Sequence, residues 1–166
     1  RYCRQHSLTL REKLELFIAI CSAVSYAHRN LIIHRDLKPG NVLVTQERVP
    51  KLLDFGVAKI LADEAQNEAT TLMPLTPLYA SPEQMKGEVL TVATDIYSLG
   101  VLLYEMLSGR HPYGGREGNA VAFWGTLEKT PIPLRQGNRE TPADLEKIVM
   151  MALRKEPERR YATVDA

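Results

Sequence analysis

Residues 34–41, HRDLKPGN, place the carboxylate of Asp36 between two cations and follow them with a proline, a glycine and an amide. An apolar run precedes this segment at residues 31–33, and another follows it at residues 42–44. The loop follows a predicted buried helix and precedes a predicted hairpin, and such a loop is a rigid place to hold a carboxylate. A carboxylate can accept a proton from a hydroxyl group, and a nearby lysine can hold a negatively charged group on the same side. We therefore predict that Asp36 and Lys38 act together as catalytic residues.

A second polar motif, DFG at residues 54–56, follows a short stretch that resembles a hairpin. The segments VLV at 42–44 and KLL at 51–53 flank a polar connection at 45–50, which predicts two short strands. Such a hairpin would fold Asp54 back beside Asn41. An amide oxygen and a carboxylate suit Mg²⁺, which binds one or two protein carboxylates and completes its shell with water and phosphate. Asn41 and Asp54 are therefore predicted metal-binding residues of a site for phosphoryl transfer.

The rest of the chain is predicted to be mostly helical. Periodic apolar residues predict a helix at 10–29, with Thr9 as its N-cap. The same periodicity predicts a buried helix at 91–108, a weakly marked helix at 118–129 and a helix at 141–154. The last of these would bury Ile148 and Val149. Residues 56–75, between the predicted hairpin and the predicted helix at 91–108, are polar and acidic, as is typical of a long surface loop. The predicted fold class is α+β, mostly α-helical, with a small β-hairpin that carries the catalytic and metal-binding loops.

Charge and cysteine content exclude several classes of partner. Lys plus Arg number 21 and Asp plus Glu number 20, so no basic surface for nucleic acid or for an anionic membrane is indicated. The longest apolar stretch is shorter than the roughly 20 residues that a membrane span requires. The 2 cysteines lack C-x-x-C spacing, which favours a reducing compartment. We expect a cytoplasmic location, with no nucleic acid and no membrane contact from this segment.

The motifs HRDLKPGN and DFG resemble the catalytic and metal-binding motifs of the eukaryotic-type protein kinases. Further elements resembling that family follow in the same order: TPLY at 76–79, SPE at 81–83, DIYSLG at 95–100 and Arg160. The likeness extends over the whole chain and is strongest to the bacterial serine/threonine kinases. It implies that residues 1–166 are a partial protein kinase domain, the C-terminal lobe of a longer protein. The N-terminal lobe and the final helix would then lie outside the sequence, and a membrane anchor could be present elsewhere in the parent.

This resemblance implies a role for each residue of the predicted site. Asp36 is the implied catalytic base that orients and deprotonates the substrate hydroxyl. Lys38 is implied to contact the transferred γ-phosphoryl group of ATP, and it favours serine/threonine over tyrosine specificity. Asn41 and Asp54 would hold Mg²⁺ in the Mg²⁺-ATP complex. The implied activity of the parent is ATP-dependent phosphorylation of Ser and Thr hydroxyls in protein substrates.

Supporting roles are implied for residues outside the two motifs. Thr76 would line the pocket for the residue after the phosphoacceptor and would help to fix Asp36. Glu83 and Arg160 would form a buried ion pair, and Asp95 is assigned a structural role at the start of a buried helix.

A regulatory switch is predicted for Arg35, Thr70 and Thr71. A phosphate on Thr70 or Thr71 would carry a charge of about −1.5 to −2 and could form charge-assisted hydrogen bonds with Arg35. That contact would order the loop and set the substrate-binding residues in place. Kinases that resemble this chain carry their activating sites in the corresponding loop. We therefore expect phosphorylation to activate the parent enzyme.

Two other functions are compatible with the sequence. The absence of an N-terminal lobe favours a truncated or pseudokinase-like module that binds partners without catalysis, although Asp36, Asn41 and Asp54 are all intact. A small-molecule phosphotransferase of related fold would share the catalytic loop, but such enzymes usually lack the SPE-type element and the Lys38-Pro39 pair. Whichever holds for the parent, we expect the isolated chain to be inactive and to bind Mg²⁺-ATP poorly.

Overall fold

The computed structural model describes residues 2–55, 78–114, 127–137 and 141–166. Within these ranges the chain is mostly α-helical and contains one two-stranded antiparallel sheet. The elements in chain order are α1 (Tyr2–Gln5), α2 (Leu10–Arg29), β1 (Val42–Val44), β2 (Pro50–Leu52), α3 (Pro82–Lys86), α4 (Val92–Ser108), α5 (Leu134–Gly137) and α6 (Ala143–Ala152). Short 3₁₀ turns occur at Pro39–Asn41 and Pro157–Arg159. The helical content and the small hairpin confirm the predicted composition of the fold.

Helix α2 has the bounds and the N-cap that the sequence predicted. The Glu12 N–H donates to Thr9 Oγ1 at 3.3 Å, and the Thr9 N–H donates to Glu12 Oε2 at 2.9 Å, which completes a capping box. Arg48, in the turn of the hairpin, also donates to Glu12 at 2.6 Å. Hydrogen bonds from the Thr9 backbone and from Arg48 lower the pKa of Glu12 to about 2. The first turn of α2 is therefore tied to the hairpin.

Helix α4 is the central element of the described fold. Its residues from 93 to 104 are all buried, and it contacts α2, α5 and α6. Thr91 is its N-cap, so the helix begins one residue later than predicted. Gly109 ends it with a φ of 70°, a left-handed conformation that glycine adopts at low cost. None of the described helices is both long and apolar enough to span a membrane.

The hairpin forms as predicted, with a different second strand. Val42 pairs with Leu52 and Val44 pairs with Pro50, so β2 begins one residue before the predicted strand at 51–53. A proline is compatible with the first position of a strand because its missing N–H is not needed there. Leu53 leaves the ladder, and its N–H donates instead to the Asn41 carbonyl at 2.9 Å. The chain therefore re-enters the loop region immediately before Asp54.

Helix α6 is shorter at both ends than the predicted helix at 141–154. Val149 is fully buried as predicted, but Ile148 is 46% exposed, so its assignment to the buried face was wrong. The predicted helix at 118–129 lies largely outside the described residues, and the predicted loop at 56–75 lies entirely outside them. The short helices α1, α3 and α5 were not predicted.

Candidate active site

The structure brings Asp36, Lys38 and Asn41 into direct contact. The Lys38 ammonium lies 2.8 Å from Asp36 Oδ2. The Asn41 amide nitrogen donates to the same oxygen at 3.0 Å and to the Asp36 backbone carbonyl at 2.8 Å. Both side-chain contacts are therefore made by one carboxylate oxygen, and the carboxylate is held in a fixed orientation.

The local sequence explains why these residues meet. Pro39 opens the 3₁₀ turn, where its fixed φ is compatible with the first turn position and its missing N–H is not required. The Asn41 N–H then donates to the Lys38 carbonyl at 2.9 Å and closes the turn. The reversal directs the Asn41 side chain back to Asp36. Because Leu53 is hydrogen-bonded to the Asn41 backbone, the chain also brings the start of the DFG motif to this turn.

Two residues of the site have left-handed backbone conformations. Arg35 has a φ of 66° and Asp54 a φ of 52°. Such conformations are uncommon for residues other than glycine and require support from their surroundings. Arg35 receives that support on both sides, since its N–H donates to Asp95 Oδ1 at 2.9 Å and its carbonyl accepts from Gln84 Nε2 at 2.7 Å. The backbone next to Asp36 is thus fixed by α3 and α4.

Asp95 anchors the loop from the first turn of α4. Its side chain is fully buried and accepts the N–H of His34 at 2.8 Å as well as that of Arg35. Oδ2 of Asp95 also lies 2.8 Å from His28 Nε2. Asp95 therefore holds two consecutive peptide groups of the loop onto the central helix.

His34 connects the same loop to the DFG motif. Its ring is fully buried, and its Nε2 lies 3.0 Å from the Leu53 carbonyl. The Asp36 N–H donates to Nδ1 at 3.4 Å. These partners assign the ring proton to Nε2. The ring also stacks at a tilt on Phe55, with 4.8 Å between centroids, so His34 fixes the distance between Asp36 and the DFG motif.

Glu83 and Arg160 form a buried bidentate ion pair. Glu83 Oε1 lies 2.7 Å from Nη1 of Arg160, and Oε2 lies 2.8 Å from Nη2. The Thr94 hydroxyl donates to Oε1 at 3.0 Å, and the guanidinium lies 5.0 Å from the centroid of the Tyr97 ring. Burial alone would raise the pKa of Glu83, but hydrogen bonds and charge from Arg160 outweigh it and lower that pKa. The pair joins α3 to the chain that follows α6.

Two residues of this framework were missed in the sequence. Gln84 forms a capping box with Ser81 and also donates to the Arg35 carbonyl. The spacing of a serine and a glutamine three residues later is a known helix-start pattern, so this signal was available. His28 had no comparable signal, because its partner Asp95 is 67 positions away in the sequence.

The described residues offer ligands that fit a hard cation. Both hydrogen bonds of the Asn41 amide use its nitrogen, which leaves the amide oxygen as the ligand atom that it can offer. Asp54 is exposed beside the turn. Within the described ranges, no group of three or more His, Cys, Asp or Glu side chains could hold a metal ion. An amide oxygen with one carboxylate is suited to a cation whose other ligands are water and phosphate.

Three of the predicted residues cannot be placed in this geometry. Thr70, Thr71 and Thr76 lie outside the described residues. The side chain of Arg35, the predicted partner of a phosphorylated loop, is half-buried next to Asp36.

Comparison with known proteins assigns a family to this arrangement. Residues 1–166 match the protein kinase domain family. The chain is 38% identical over 153 residues to the serine/threonine-protein kinase PknB of Mycobacterium leprae, covering 92% of this chain and 24% of that protein. It is 38% identical to PknB of Mycobacterium tuberculosis over 94% of this chain and 25% of that protein. A protein of Streptomyces coelicolor named as a probable serine/threonine-protein kinase is 40% identical over 92% of this chain and 23% of its own length. The chain thus spans about a quarter of the length of these curated relatives.

Proposed function

The chain belongs to the protein kinase family, in its bacterial serine/threonine branch, and on this basis we propose that it forms the C-terminal lobe of a kinase domain. The parent protein transfers the γ-phosphoryl group of ATP to Ser and Thr hydroxyls of other proteins. The observation that carries the proposal is the contact of Asp36 Oδ2 with both Lys38 and Asn41. Residues 1–166 are in this proposal a partial domain, completed by an N-terminal lobe and a final helix in the parent.

Asp36 acts in this proposal as the group that receives the substrate hydroxyl. Oδ2 is held by Lys38 and Asn41, so Oδ1 is the oxygen that accepts the hydroxyl proton. A positioned carboxylate of this kind orients the attacking oxygen and removes its proton as the new bond forms. Phosphoryl transfer depends mainly on positioning and on electrostatic stabilisation. The Asp36 N–H is held by His34, and the His34 and Arg35 N–H groups are held by Asp95. This rigid attachment of the loop therefore contributes directly to the rate.

Lys38 contacts the transferred γ-phosphoryl group in the same proposal. Its ammonium lies beside the carboxylate of Asp36, so one positive charge is available where negative charge accumulates on the phosphoryl oxygens. The ion pair also keeps the long lysine side chain ordered before substrate binds.

Asn41 and Asp54 are the proposed ligands of Mg²⁺ in the Mg²⁺-ATP complex. When bound, ATP would supply the γ-phosphoryl group, and Mg²⁺ would neutralise the negative charge that develops on it. Asn41 is buried, and its amide nitrogen is engaged by Asp36, so its oxygen is oriented before any ligand arrives. Asp54 has a left-handed backbone conformation at the end of the hairpin, a conformation that aspartate tolerates better than most residues.

Protein substrates bind, we infer, along the segment that includes Thr76. The residues that follow it are firmly held, because the Tyr79 carbonyl accepts from Ser98 Oγ at 2.9 Å. The Glu83–Arg160 pair supports the same segment from α3. A cytoplasmic location is part of this proposal, as are protein substrates and ATP as the partners of the parent.

The proposal is tested with the full-length parent, Mg²⁺ and γ-labelled ATP, followed by phosphoamino acid analysis of the labelled protein. We expect phosphoserine or phosphothreonine, with label lost in Asp54→Asn. Asp144→Asn is a matched control, since Asp144 is an exposed carboxylate paired with Lys147 on the surface of α6. It should retain wild-type activity. Absence of protein labelling by the wild-type parent, or label on tyrosine or on a small molecule, would contradict the proposal.

A further inference from the structure

A half-buried glutamine outside the catalytic motifs contacts the backbone directly before the proposed catalytic base. Gln84, in the first turn of α3, donates from Nε2 to the Arg35 carbonyl at 2.7 Å. Its Oε1 accepts the Ser81 N–H at 3.1 Å. A flipped amide would place an oxygen against the Arg35 carbonyl and an amino group against the Ser81 N–H, so the two contacts determine the orientation of the amide. The Gln84 side chain thus joins the start of α3 to the loop that carries Asp36.

The contacted carbonyl belongs to the peptide group that leads into Asp36. The N–H of this peptide group donates to His34 Nδ1 at 3.4 Å, which is longer than most hydrogen bonds of a backbone N–H. The contact with Gln84 at 2.7 Å is therefore the tighter of the two. Because a peptide group is planar, the direction of its carbonyl determines the direction in which the Asp36 Cα and side chain continue. Gln84 therefore acts on the position of Asp36 through a single peptide group.

The backbone at this point requires support. Arg35 has a φ of 66°, a conformation that is uncommon for a residue with a side chain and persists only where the surroundings stabilise it. Asp95 accepts the Arg35 N–H at 2.9 Å, on the N-terminal side of the residue. Gln84 holds the carbonyl, on the C-terminal side. Loss of the Gln84 donor would leave the Asp95 contact intact and would allow the peptide group before Asp36 to rotate.

Helix α3 holds Gln84 in place. The neighbouring residue, Glu83, forms the buried ion pair with Arg160. The capping box joins Gln84 to Ser81, which is fully buried. A helix of 5 residues has little stability of its own, so these tertiary and capping contacts determine where the Gln84 side chain lies. The donor is thus presented to the loop from a rigid support.

We propose that Gln84 is a positioning residue for phosphoryl transfer, which sets the placement of Asp36 by holding the Arg35 carbonyl. The inference rests on the proposed function, in which Asp36 accepts the proton of the substrate hydroxyl. Gln84 acts through Arg35 and does not itself contact the reacting groups. Since Lys38 and Asn41 also hold Asp36 Oδ2, loss of the Gln84 contact should loosen the carboxylate without releasing it.

The test removes the Gln84 donor in the full-length parent, with and without the capping acceptor. Gln84→Glu keeps an acceptor for Ser81, as in the capping box of α2, whereas Gln84→Met removes donor and acceptor and adds no charge. We expect each variant to lower kcat about five- to tenfold, the effect of one lost hydrogen bond. The KM for ATP and the KM for the protein substrate should stay within about twofold. Gln136→Glu, at an exposed glutamine of α5, is the matched control and should change none of these constants.

A second measurement separates the positioning of Asp36 from a general loss of structure. In the Asp36→Asn background no carboxylate remains to be positioned, so the addition of Gln84→Glu should lower kcat further by less than about twofold. A substitution that only reduced the amount of folded kinase would lower kcat by the same factor in both backgrounds. The comparison of the two factors therefore identifies Asp36 as the group through which Gln84 acts.

Several outcomes would overturn the inference. A kcat within about twofold of the wild type in Gln84→Glu would do so, as would equal falls in kcat with and without the Asp36 carboxylate. A wild-type kcat in Gln84→Met alone would show that the introduced charge matters and the donor does not. Failure of both variants to fold would make Gln84 a folding determinant only.

Failure of the inference is distinguishable from failure of the proposed function. A wild-type parent without kinase activity, or one whose kcat is unchanged in Asp36→Asn, refutes the proposed function. Normal activity that depends on Asp36, with an unchanged kcat in both Gln84 variants, refutes this inference alone.

Discussion

Removing the charge of Glu83 should destabilise the kinase domain strongly. In Glu83→Gln the shape of the side chain is preserved, but the buried guanidinium of Arg160 loses its counter-charge. The structure shows contacts of 2.7 and 2.8 Å between these groups, with both side chains excluded from solvent. Breaking one partner of a buried pair costs about 3–5 kcal/mol. Since domains are stable by only about 5–15 kcal/mol, much of the folding free energy would be lost.

The guanidinium cannot relieve this cost by moving into water. Its remaining donors bind three backbone carbonyls, those of Ala93, Arg154 and Lys155. Arg160 would therefore stay buried, charged and only partly compensated. The Thr94 hydroxyl would still have an acceptor in the amide oxygen of glutamine. The hydrogen bond of Thr94 therefore does not contribute to the expected loss of stability.

The assay is chemical denaturation of the full-length parent, monitored by circular dichroism. The matched control is the exposed pair of Asp144 and Lys147, where Asp144→Asn should leave the free energy of unfolding nearly unchanged. A double variant, Glu83→Gln with Arg160→Met, removes both charges and should recover part of the loss. A loss below about 1 kcal/mol in Glu83→Gln, in the range of exposed pairs, would refute the reasoning.

Three further predictions concern packing, pH and regulation. Gly100→Ala should lower the thermal midpoint, because its Cβ would lie 2.9 Å from the Cβ of Ala152 in α6; overpacking of this kind costs about 1–3 kcal/mol. Because burial lowers the pKa of His111, stability should fall as the pH drops below about 6.5, the ordinary pKa of histidine. Urea titrations between pH 7.5 and pH 5 should show a smaller decline in His111→Gln than in the wild type. The double variant Thr70→Ala/Thr71→Ala should lack the proposed activating phosphate and lose activity, as checked by phosphopeptide mass spectrometry and kinase assay; full activity would rule that switch out.

The sequence predicted best those helices that have both apolar residues at helical spacing and capping residues at their ends. Helix α2 has apolar residues at helical spacing and a Thr9–Glu12 capping box, and its predicted bounds match the structure. Helix α4 is bounded by Thr91 and Gly109 in the same way. The short helices α1 and α3 have too few turns to show a period. Ile148 was misplaced because apolar residues on a short helix can face outward without a visible break in the pattern.

The sequence was sufficient to predict the residues of the candidate site, but not the tertiary contacts that hold them in place. The motifs identified Asp36, Lys38 and Asn41, since a short loop forces residues at such spacing to be neighbours. The attachment of this loop to Asp95, and the contact of Asp95 with His28, depend on tertiary contacts between distant helices, which no local spacing encodes. The left-handed backbone at Arg35 is supported by the same attachment, since the Arg35 N–H donates to Asp95.

The central role of Asp36 is tested most directly by steady-state kinetics of Asp36→Asn in the full-length parent. Asparagine preserves the size of the side chain and removes its ability to take a proton. We predict a fall in kcat on the order of 10²–10⁴-fold, the usual contribution of a positioned acid–base group, with the KM for ATP within about twofold of the wild type. Phosphorylation of a protein substrate by Asp36→Asn at a kcat within a factor of about two of the wild type would contradict the assignment of Asp36 as the catalytic base.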